Sequence, residues 1–311
     1  MPRHLISIHD LTAAEVAGLF RLAADVKANP QQYENHMHRK TLAMIFEKSS
    51  TRTRVSFEVG MAQMGGQGLF LSSRDIQLGR GEPIADTAQV LSRYVDGIMA
   101  RTFAHQTVTD LAKYGSIPVI NGLTDDLHPC QGLTDYFTLT EVFGGLERLH
   151  GRKLAYVGDG NNMAHSLMFG AAKAGMDVAV ASPKGYEVKE HYANLARQDA
   201  EAAGTRVILT NDPREAVEGA SAVYTDVWAS MGQEAEQQER LKAFEGFTVD
   251  AALMSHARPD AVFLHCLPAH RGEEVAAEVC DGPQSRIFDE AENRLHVQKA
   301  VMLWLMAGVE I

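Results

Sequence analysis

With 311 residues, 45% of them apolar and 22% charged, the chain is long enough for two globular domains of roughly 150 residues and is neither disordered nor fibrous. Lys and Arg number 29 against 40 Asp and Glu, a formal charge of −11, which disfavours adhesion to nucleic acid or anionic lipid; any bound anion must meet a local cationic pocket. No run approaches the ~18 to 20 apolar residues of a membrane span, the first ten residues lack the apolar core of a signal peptide, and Cys130, Cys266 and Cys280 are too few for a disulfide framework, so the expectation is a cytoplasmic protein with reduced thiols.

Thr12-Ala13-Ala14-Glu15 is a capping box, followed by an apolar face through Val16, Leu19 and Phe20, which predicts a first helix ending at Asn29-Pro30. From there a short apolar run, a polar loop and a helical period alternate, the pattern of parallel strands joined by crossover helices. Strands are predicted at 42–46, 68–71, 95–100 and 117–120 in the first half, and at 153–157, 178–181, 207–209, 222–225 and 262–265 in the second. The expected fold is α/β, two doubly wound domains, each with a central parallel sheet flanked by helices. Residues 132–150, whose apolar positions Leu133, Phe137, Leu139 and Val142 suit a helix ending at Gly144-Gly145, are expected to connect the domains, and 289–309 to form a last helix, N-capped by Asp289, that returns to the N-terminal domain. The predicted division is 1–140, 141–288 and a C-terminal helix over 289–311. The most polar stretch, Gln233 to Arg240, reads as an exposed mobile loop leading into a helix.

Chemistry concentrates where predicted strands end. After Phe46 comes Glu47-Lys48-Ser49-Ser50-Thr51-Arg52-Thr53-Arg54, hydroxyls and arginines where a strand becomes a helix. Free amides, the helix dipole and guanidinium charge there suit a phosphate; a capped helix start with two solvated arginines is the plain alternative. The glycines of a P-loop are absent. Arg101 and His128-Pro129-Cys130-Gln131 follow the next strands, near the same crevice by the rule that sheets of this kind bind ligands beyond their strand ends. Their donors suit a carbonyl oxygen that gains charge.

In the second half, Gly158-Asp159-Gly160-Asn161-Asn162 looks like a dinucleotide turn. However, Met163 stands where a third glycine belongs, and Val180-Ala181-Ser182-Pro183 lacks the acid that would hold a ribose. Asn162 instead suits a carboxylate or ammonium. Asp226-Val227-Trp228-Ala229-Ser230-Met231-Gly232 and His265-Cys266-Leu267-Pro268 end two further strands. A zinc site joining His128 and Cys130 to His265 and Cys266 matches no structural zinc spacing.

Together these motifs resemble the transcarbamoylase family over essentially the whole chain. Ser50-Thr51-Arg52-Thr53-Arg54 and His128-Pro129-x-Gln131 are similar to the carbamoyl phosphate motifs of the wider family, and Asp226-Val227-Trp228-x-Ser230-Met231-Gly232 with His265-Cys266-Leu267-Pro268 to its ornithine branch. The resemblance implies that Ser50, Thr51, Arg52 and Thr53 hold the phosphate and that Arg101, His128, Pro129, Cys130 and Gln131 meet the carbamoyl group. It implies that Asn162, Asp226, Ser230 and Met231 hold ornithine, and that Cys266, Leu267 and Arg294 complete the reacting centre. Cys266, Arg101, His128 and Asp226 are the implied catalytic groups. Gln77, by the same resemblance, reaches carbamoyl phosphate from a neighbouring subunit of a homotrimer. The implied reaction gives citrulline and phosphate, a step of arginine metabolism, without metal or cofactor. Rival readings are a sister enzyme acting on putrescine or an acylated ornithine, a nicotinamide-dependent dehydrogenase built on the Gly158 turn, and a non-enzymatic anion-binding module.

Overall fold

The computed structural model describes residues 2–73, 76, 81–229 and 236–311. Its backbone divides into two compact units, Met1–Thr134 with Glu292–Ile311, and Asp135–Ala291.

In unit 1, α1 (Ala13–Ala28) opens on the expected reciprocal cap, with Thr12 Oγ1 accepting from Glu15 N and the Glu15 carboxylate accepting from Thr12 N at 2.8 Å. Then come β1 (Thr41–Phe46), α2 (Thr51–Gln63), β2 (Gln67–Ser72), α3 (Ile84–Leu91), β3 (Gly97–Arg101), α4 (His105–Tyr114), β4 (Val119–Leu123) and α5 (Pro129–Phe143). The four strands are parallel in the order β2-β1-β3-β4. The chain therefore winds one way from β1 and the other way from β3, and the two strands on either side of that reversal are paired through Phe46 and Arg101. A crevice opens beyond such a switch point because the helices that follow the two strands leave on opposite faces. Ala43, Ile45, Ile98, Ala100, Val108, Leu111 and Val119 form the buried core on one side of this sheet.

Unit 2 contains β5 (Lys153–Val157), α6 (Asn162–Ala174), β6 (Asp177–Ala181), α7 (Glu190–Ala203), β7 (Val207–Thr210), α8 (Pro213–Val217), β8 (Ala222–Tyr224), α9 (Gln237–Ala243), α10 (Ala251–Met254), β9 (Val262–Leu264) and α11 (Ala277–Cys280). Its sheet is parallel, in the order β7-β6-β5-β8-β9, so the reversal lies between β5 and β8. The strands at its centre are buried on both faces, as all-parallel sheets require. Ala155, Val157, Val223, Phe263, Trp228 and Phe244 are among the residues of its core. The last helix, α12 (Ile287–Met302), continues as a π-turn at Leu303–Ala307 and stops at Gly308, whose φ of 72° closes the end. The division between units falls inside α5 and α12. No described helix is long and apolar enough to cross a membrane.

Four local expectations change. Strand β4 begins two residues later than predicted and runs through Asn121-Gly122 to Leu123, past the predicted end at residue 120. Asn121 is buried there because its amide donates to Ile6 O at 2.9 Å and its backbone N–H to Leu5 O at 2.8 Å. Helix α5 starts at Pro129, not Gly132, since a proline's missing N–H costs nothing in a first turn. Asp289 is not the N-cap of α12, which begins two residues before it. Arg240, expected in a solvated loop, is 6% exposed and ion-paired, while Gln233 to Ala235 of that loop lie outside the described residues.

Candidate active site

In unit 1 the residues after β1 turn into α2 through Ser50, whose extended backbone (φ −164°, ψ 117°) makes it the N-cap. Its Oγ accepts from Thr53 N at 3.2 Å and donates to Thr53 Oγ1 at 3.1 Å, so Ser50 to Thr53 present the positive end of a helix. Arg101 closes β3, and His128 immediately precedes Pro129 at the start of α5. Arg294, on α12 and 3% exposed, ties these elements together. Its Nη2 donates to Thr53 Oγ1 at 3.1 Å and its Nη1 to Gln131 Oε1 at 2.5 Å. With the Gln298 amide oxygen turned towards it, Nε also donates at 2.9 Å. Thus Ser50, Thr53, Gln131 and Arg294 form one hydrogen-bonded set drawn from three helices.

The electrostatics of this set favour an anion. Burial pushes the His128 imidazole well below its ordinary pKa, and Arg294, Arg101 and Arg52 push it the same way. Three guanidinium groups thus act on one buried ring that stays neutral, and a neutral ring can donate an N–H without adding charge. Cys130 is buried; its thiol donates to Asn121 O at 3.4 Å, and burial drives its pKa up to about 12, outweighing the pull of Arg294. A thiol so held is a core group, which removes it from the zinc arrangement considered above.

In unit 2 the corresponding strand ends carry a different chemistry. After β5, Gly160 passes so close to another segment that an added Cβ would sit 2.3 Å from the Glu187 carbonyl carbon and Val188 N; no side chain fits there. Asn161, which sequence reasoning passed over in favour of Asn162, caps α6 by accepting from Met163 N at 2.9 Å and Ala164 N at 3.3 Å. Its Nδ2 donates to Asp226 Oδ2 at 3.2 Å. Asp226 Oδ1 accepts from Val227 N at 2.8 Å and from Cys266 Sγ at 3.1 Å. Asn161, Asp226 and Cys266 are therefore one linked set at the ends of β5, β8 and β9. Asn162 begins α6 beside them and is partly exposed. Burial, then the Asp226 and Glu290 carboxylates, push the Cys266 thiol well above its usual pKa, so it is a protonated donor to Asp226.

Two supports lie behind this set; His265 belongs to a motif singled out above, whereas its partner Glu274 and the ion pair of Arg240 were not legible in the sequence. Arg240 on α9 donates from Nη1 to Asp159 Oδ2 at 2.7 Å and to Trp228 O at 2.8 Å, joining the turn after β5 to the segment after β8. His265 is fully buried: Leu267 N donates to its Nδ1 at 2.9 Å, and its Nε2 faces Glu274 Oε1 at 3.1 Å. The accepting Nδ1 places the ring proton on Nε2. This fixes Leu267, whose φ is 58°, next to Cys266. Gln77, Ser230 and Met231 lie outside the described residues.

Comparison with known proteins gives a consistent result. Residues 3–141 match the family described as aspartate/ornithine carbamoyltransferase, carbamoyl-P binding domain, and residues 150–305 match its Asp/Orn binding domain. The chain is 59% identical over 300 residues to the ornithine carbamoyltransferase of Bacillus subtilis (strain 168), covering 96% of this chain and 92% of that protein. It is 54% identical over 311 residues to that of Thermococcus kodakarensis, covering 99% and 98%. The solved structure of ornithine carbamoyltransferase from Pyrococcus furiosus superposes with a TM-score of 0.94 at 53% identity, covering 99% of this chain and 98% of that one.

Proposed function

The chain belongs to the aspartate/ornithine carbamoyltransferase family, and within it we infer an enzyme that transfers the carbamoyl group of carbamoyl phosphate to the side-chain amine of L-ornithine, giving L-citrulline and phosphate. The observation that carries the choice of acceptor is the Cys266 Sγ to Asp226 contact at 3.1 Å, a thiol and a carboxylate at the ends of the neighbouring strands β9 and β8, where a cationic amine would meet compensating charge. In this reading residues 1–140 with the C-terminal helix, most of which belong to unit 1, form the carbamoyl phosphate-binding part, and residues 141–288, all in unit 2, bind ornithine.

In this reading Ser50, Thr51, Arg52 and Thr53 grip the phosphate at the N-terminus of α2. Arg101, neutral His128 and Gln131 donate to the carbamoyl oxygen, with Pro129 and Cys130 forming the first turn of α5 around it. Arg294 holds Thr53 and Gln131 in position at those donors. Asn162, Asp226, Ser230 and Met231 hold ornithine, and Cys266 and the Leu267 carbonyl face the reacting amine.

The side-chain ammonium, with a solution pKa near ~10, loses one proton before attack. Its cationic charge beside Asp226 is offset by the carboxylate, and in this reading the Asp226 carboxylate takes that proton while the protonated Cys266 thiol, its hydrogen-bond donor, orients it. The amine lone pair forms the new C–N bond while the carbonyl π electrons move onto oxygen, where Arg101 and His128 stabilise the charge at no cost in reorganisation. Collapse of the adduct breaks the bond from carbon to the phosphate oxygen. The departing phosphate, neutralised by Arg52, takes the second proton from nitrogen. The products are a ureido amino acid, hydrogen phosphate and one released proton.

We also propose a cytoplasmic homotrimer in which Gln77 of one subunit completes the carbamoyl phosphate site of the next. It rests on the motif resemblance given above, and a native mass of one chain would contradict it. For the reaction itself, the test is product formation from carbamoyl phosphate with L-ornithine, putrescine, an Nα-acylated ornithine and L-aspartate. L-Ornithine is expected to give the highest kcat/KM by at least a hundred-fold, and preference for putrescine would contradict the assignment of Asp226, Ser230 and Met231 to ornithine.

A further inference from the structure

Unit 2 carries a second group of ligand-type side chains that no step of the transfer uses. The segment after Pro268 reads His270-Arg271-Gly272-Glu273-Glu274, and Gly272, at φ 91°, turns it so that His270, Glu273 and Glu274 face one another. One ligand atom from each lies within 4.8 Å of the other two. His270 Nδ1 stands 3.7 Å from Glu273 Oε2 and 3.8 Å from Glu274 Oε2. These separations are too long for hydrogen bonds. The two separations from His270 are close to the spacing of two ligands on one ion: at metal–ligand distances of ~2.1 Å, tetrahedral ligands stand about 3.4 Å apart, and the two carboxylate oxygens, within 4.8 Å of one another, are near enough for side-chain rotation to bring both onto one ion.

Glu274 supplies the second, independent observation. It is fully buried, and its two oxygens are used unequally. Oε1 accepts from His270 N at 2.5 Å and faces His265 Nε2 at 3.1 Å. Oε2, equally buried, has no hydrogen-bond partner among the described residues and lies towards the His270 ring. A buried carboxylate oxygen without a donor is costly, and a cation at this point would satisfy it. The oxygen that would not bind the ion is the one held by a backbone N–H and an imidazole, the outer-shell arrangement that orients a metal-bound carboxylate. Arg271, the cation nearest in sequence, is engaged elsewhere, with two hydrogen bonds to Asp281 at 2.8 and 2.6 Å. The group formed by Asp226, His265 and Cys266 is, by contrast, already satisfied: both His265 ring nitrogens and the Cys266 thiol have partners.

We propose that His270, Glu273 and Glu274 form a binding site for one divalent transition-metal ion of the zinc class, with water completing the coordination. One imidazole and two carboxylates select Zn²⁺, Co²⁺, Mn²⁺ or Ni²⁺ over Mg²⁺ and Ca²⁺, which take all-oxygen sets, and over Cu⁺, which takes thiolates. The ion has no part in the transfer chemistry. It ties the loop after Cys266 to its own turn, and Glu274 and His265 connect it to the Leu267 amide.

The test uses the full chain without an affinity tag, in the wild type and in a Cys266→Ala variant, titrated with Co²⁺ and followed by visible absorption and by equilibrium dialysis. One Co²⁺ per chain is expected in both proteins, with no thiolate-to-metal charge-transfer band, and Zn²⁺ should displace it. His270→Ala and Glu273→Gln, at partly exposed positions that leave the buried Glu274 in place, should each weaken binding at least ten-fold. Binding that disappears in Cys266→Ala, or that His270→Ala leaves unchanged, would overturn the assignment, as would the absence of bound Co²⁺ at millimolar concentration.

Discussion

Replacing Arg240 by alanine should unfold unit 2 at a markedly lower temperature and weaken ornithine more than carbamoyl phosphate. The guanidinium bridges Asp159 Oδ2 at 2.7 Å and Trp228 O at 2.8 Å, and the two charged side chains are only 8% and 13% exposed. Removing one partner of a buried ion pair strands the other, at a cost of about 3–5 kcal/mol. At roughly 2–4 °C per kcal/mol for a body of 150–250 residues, the midpoint should fall by about 6 to 20 °C. The deficit should also depend on pH. Burial already raises the Asp159 pKa against the pull of Arg240, and without the arginine it rises further. An acid whose folded pKa lies above its unfolded value gains stability as pH falls towards that folded value, because the folded state then binds the proton more tightly. The Arg240→Ala loss should therefore be largest near pH 8 and shrink towards pH 5.5. An added Asp159→Asn replacement, which removes the stranded charge, should recover at least half of it. Thermal melts of the two single variants and the double variant across this range measure all three effects, with KM for each substrate as the functional readout. Strictly additive single and double losses, or a midpoint within 1 °C of wild type, would refute the reasoning.

Four further outcomes follow from the same geometry. Arg52→Ala should raise KM for carbamoyl phosphate at least ten-fold and leave KM for ornithine within three-fold, whereas Asp226→Ala should do the reverse; steady-state kinetics with each substrate varied would show equal losses if the division of labour is wrong. Cys266 should alkylate slowly in the free enzyme at pH 8, and Asp226→Asn should speed its reaction with iodoacetamide several-fold, since one of the carboxylates that raise the thiol pKa is gone. An unchanged rate would remove Asp226 from control of the thiol. Ser50→Ala should cost about 1 kcal/mol of stability through the lost cap on α2, with a larger effect on carbamoyl phosphate binding; a loss in stability alone would make Ser50 purely structural. Gly160→Ala should yield little folded protein, because its Cβ meets backbone at 2.3 Å, and normal expression would contradict that packing.

The sheet framework was readable because parallel strands announce themselves as short apolar runs. Lys153 to Val157 is a strand with the predicted limits, and the nine predicted runs correspond to the nine strands, with ends differing by up to three residues. The largest displacement, at the end of β4, has a physical cause: a polar residue whose partner is distant in sequence. Asn121 looks like a turn former until the N-terminal segment satisfies its amide. The half-sites were partly readable because Ser50 to Arg54 and His265 to Pro268 are local strings. Asn161, Arg240 and Glu274 were not, since each acts through a contact with a residue that the sequence does not place beside it: Asp226, Asp159 and His265. Arg240 in particular sits in the most polar stretch of the chain, and only its buried carboxylate partner explains why it leaves solvent.

In the proposed reaction the arginine-rich set of unit 1 and the thiol–carboxylate set of unit 2 serve one transfer. A stable molecule joining a phosphonoacetyl group through an amide to the side-chain nitrogen of ornithine tests it most directly, by calorimetric titration. One molecule is expected to bind per chain, far more tightly than either substrate, with affinity lost in Arg52→Ala and again in Asp226→Ala. Affinity no better than that of phosphate alone, or insensitivity to either variant, would contradict it.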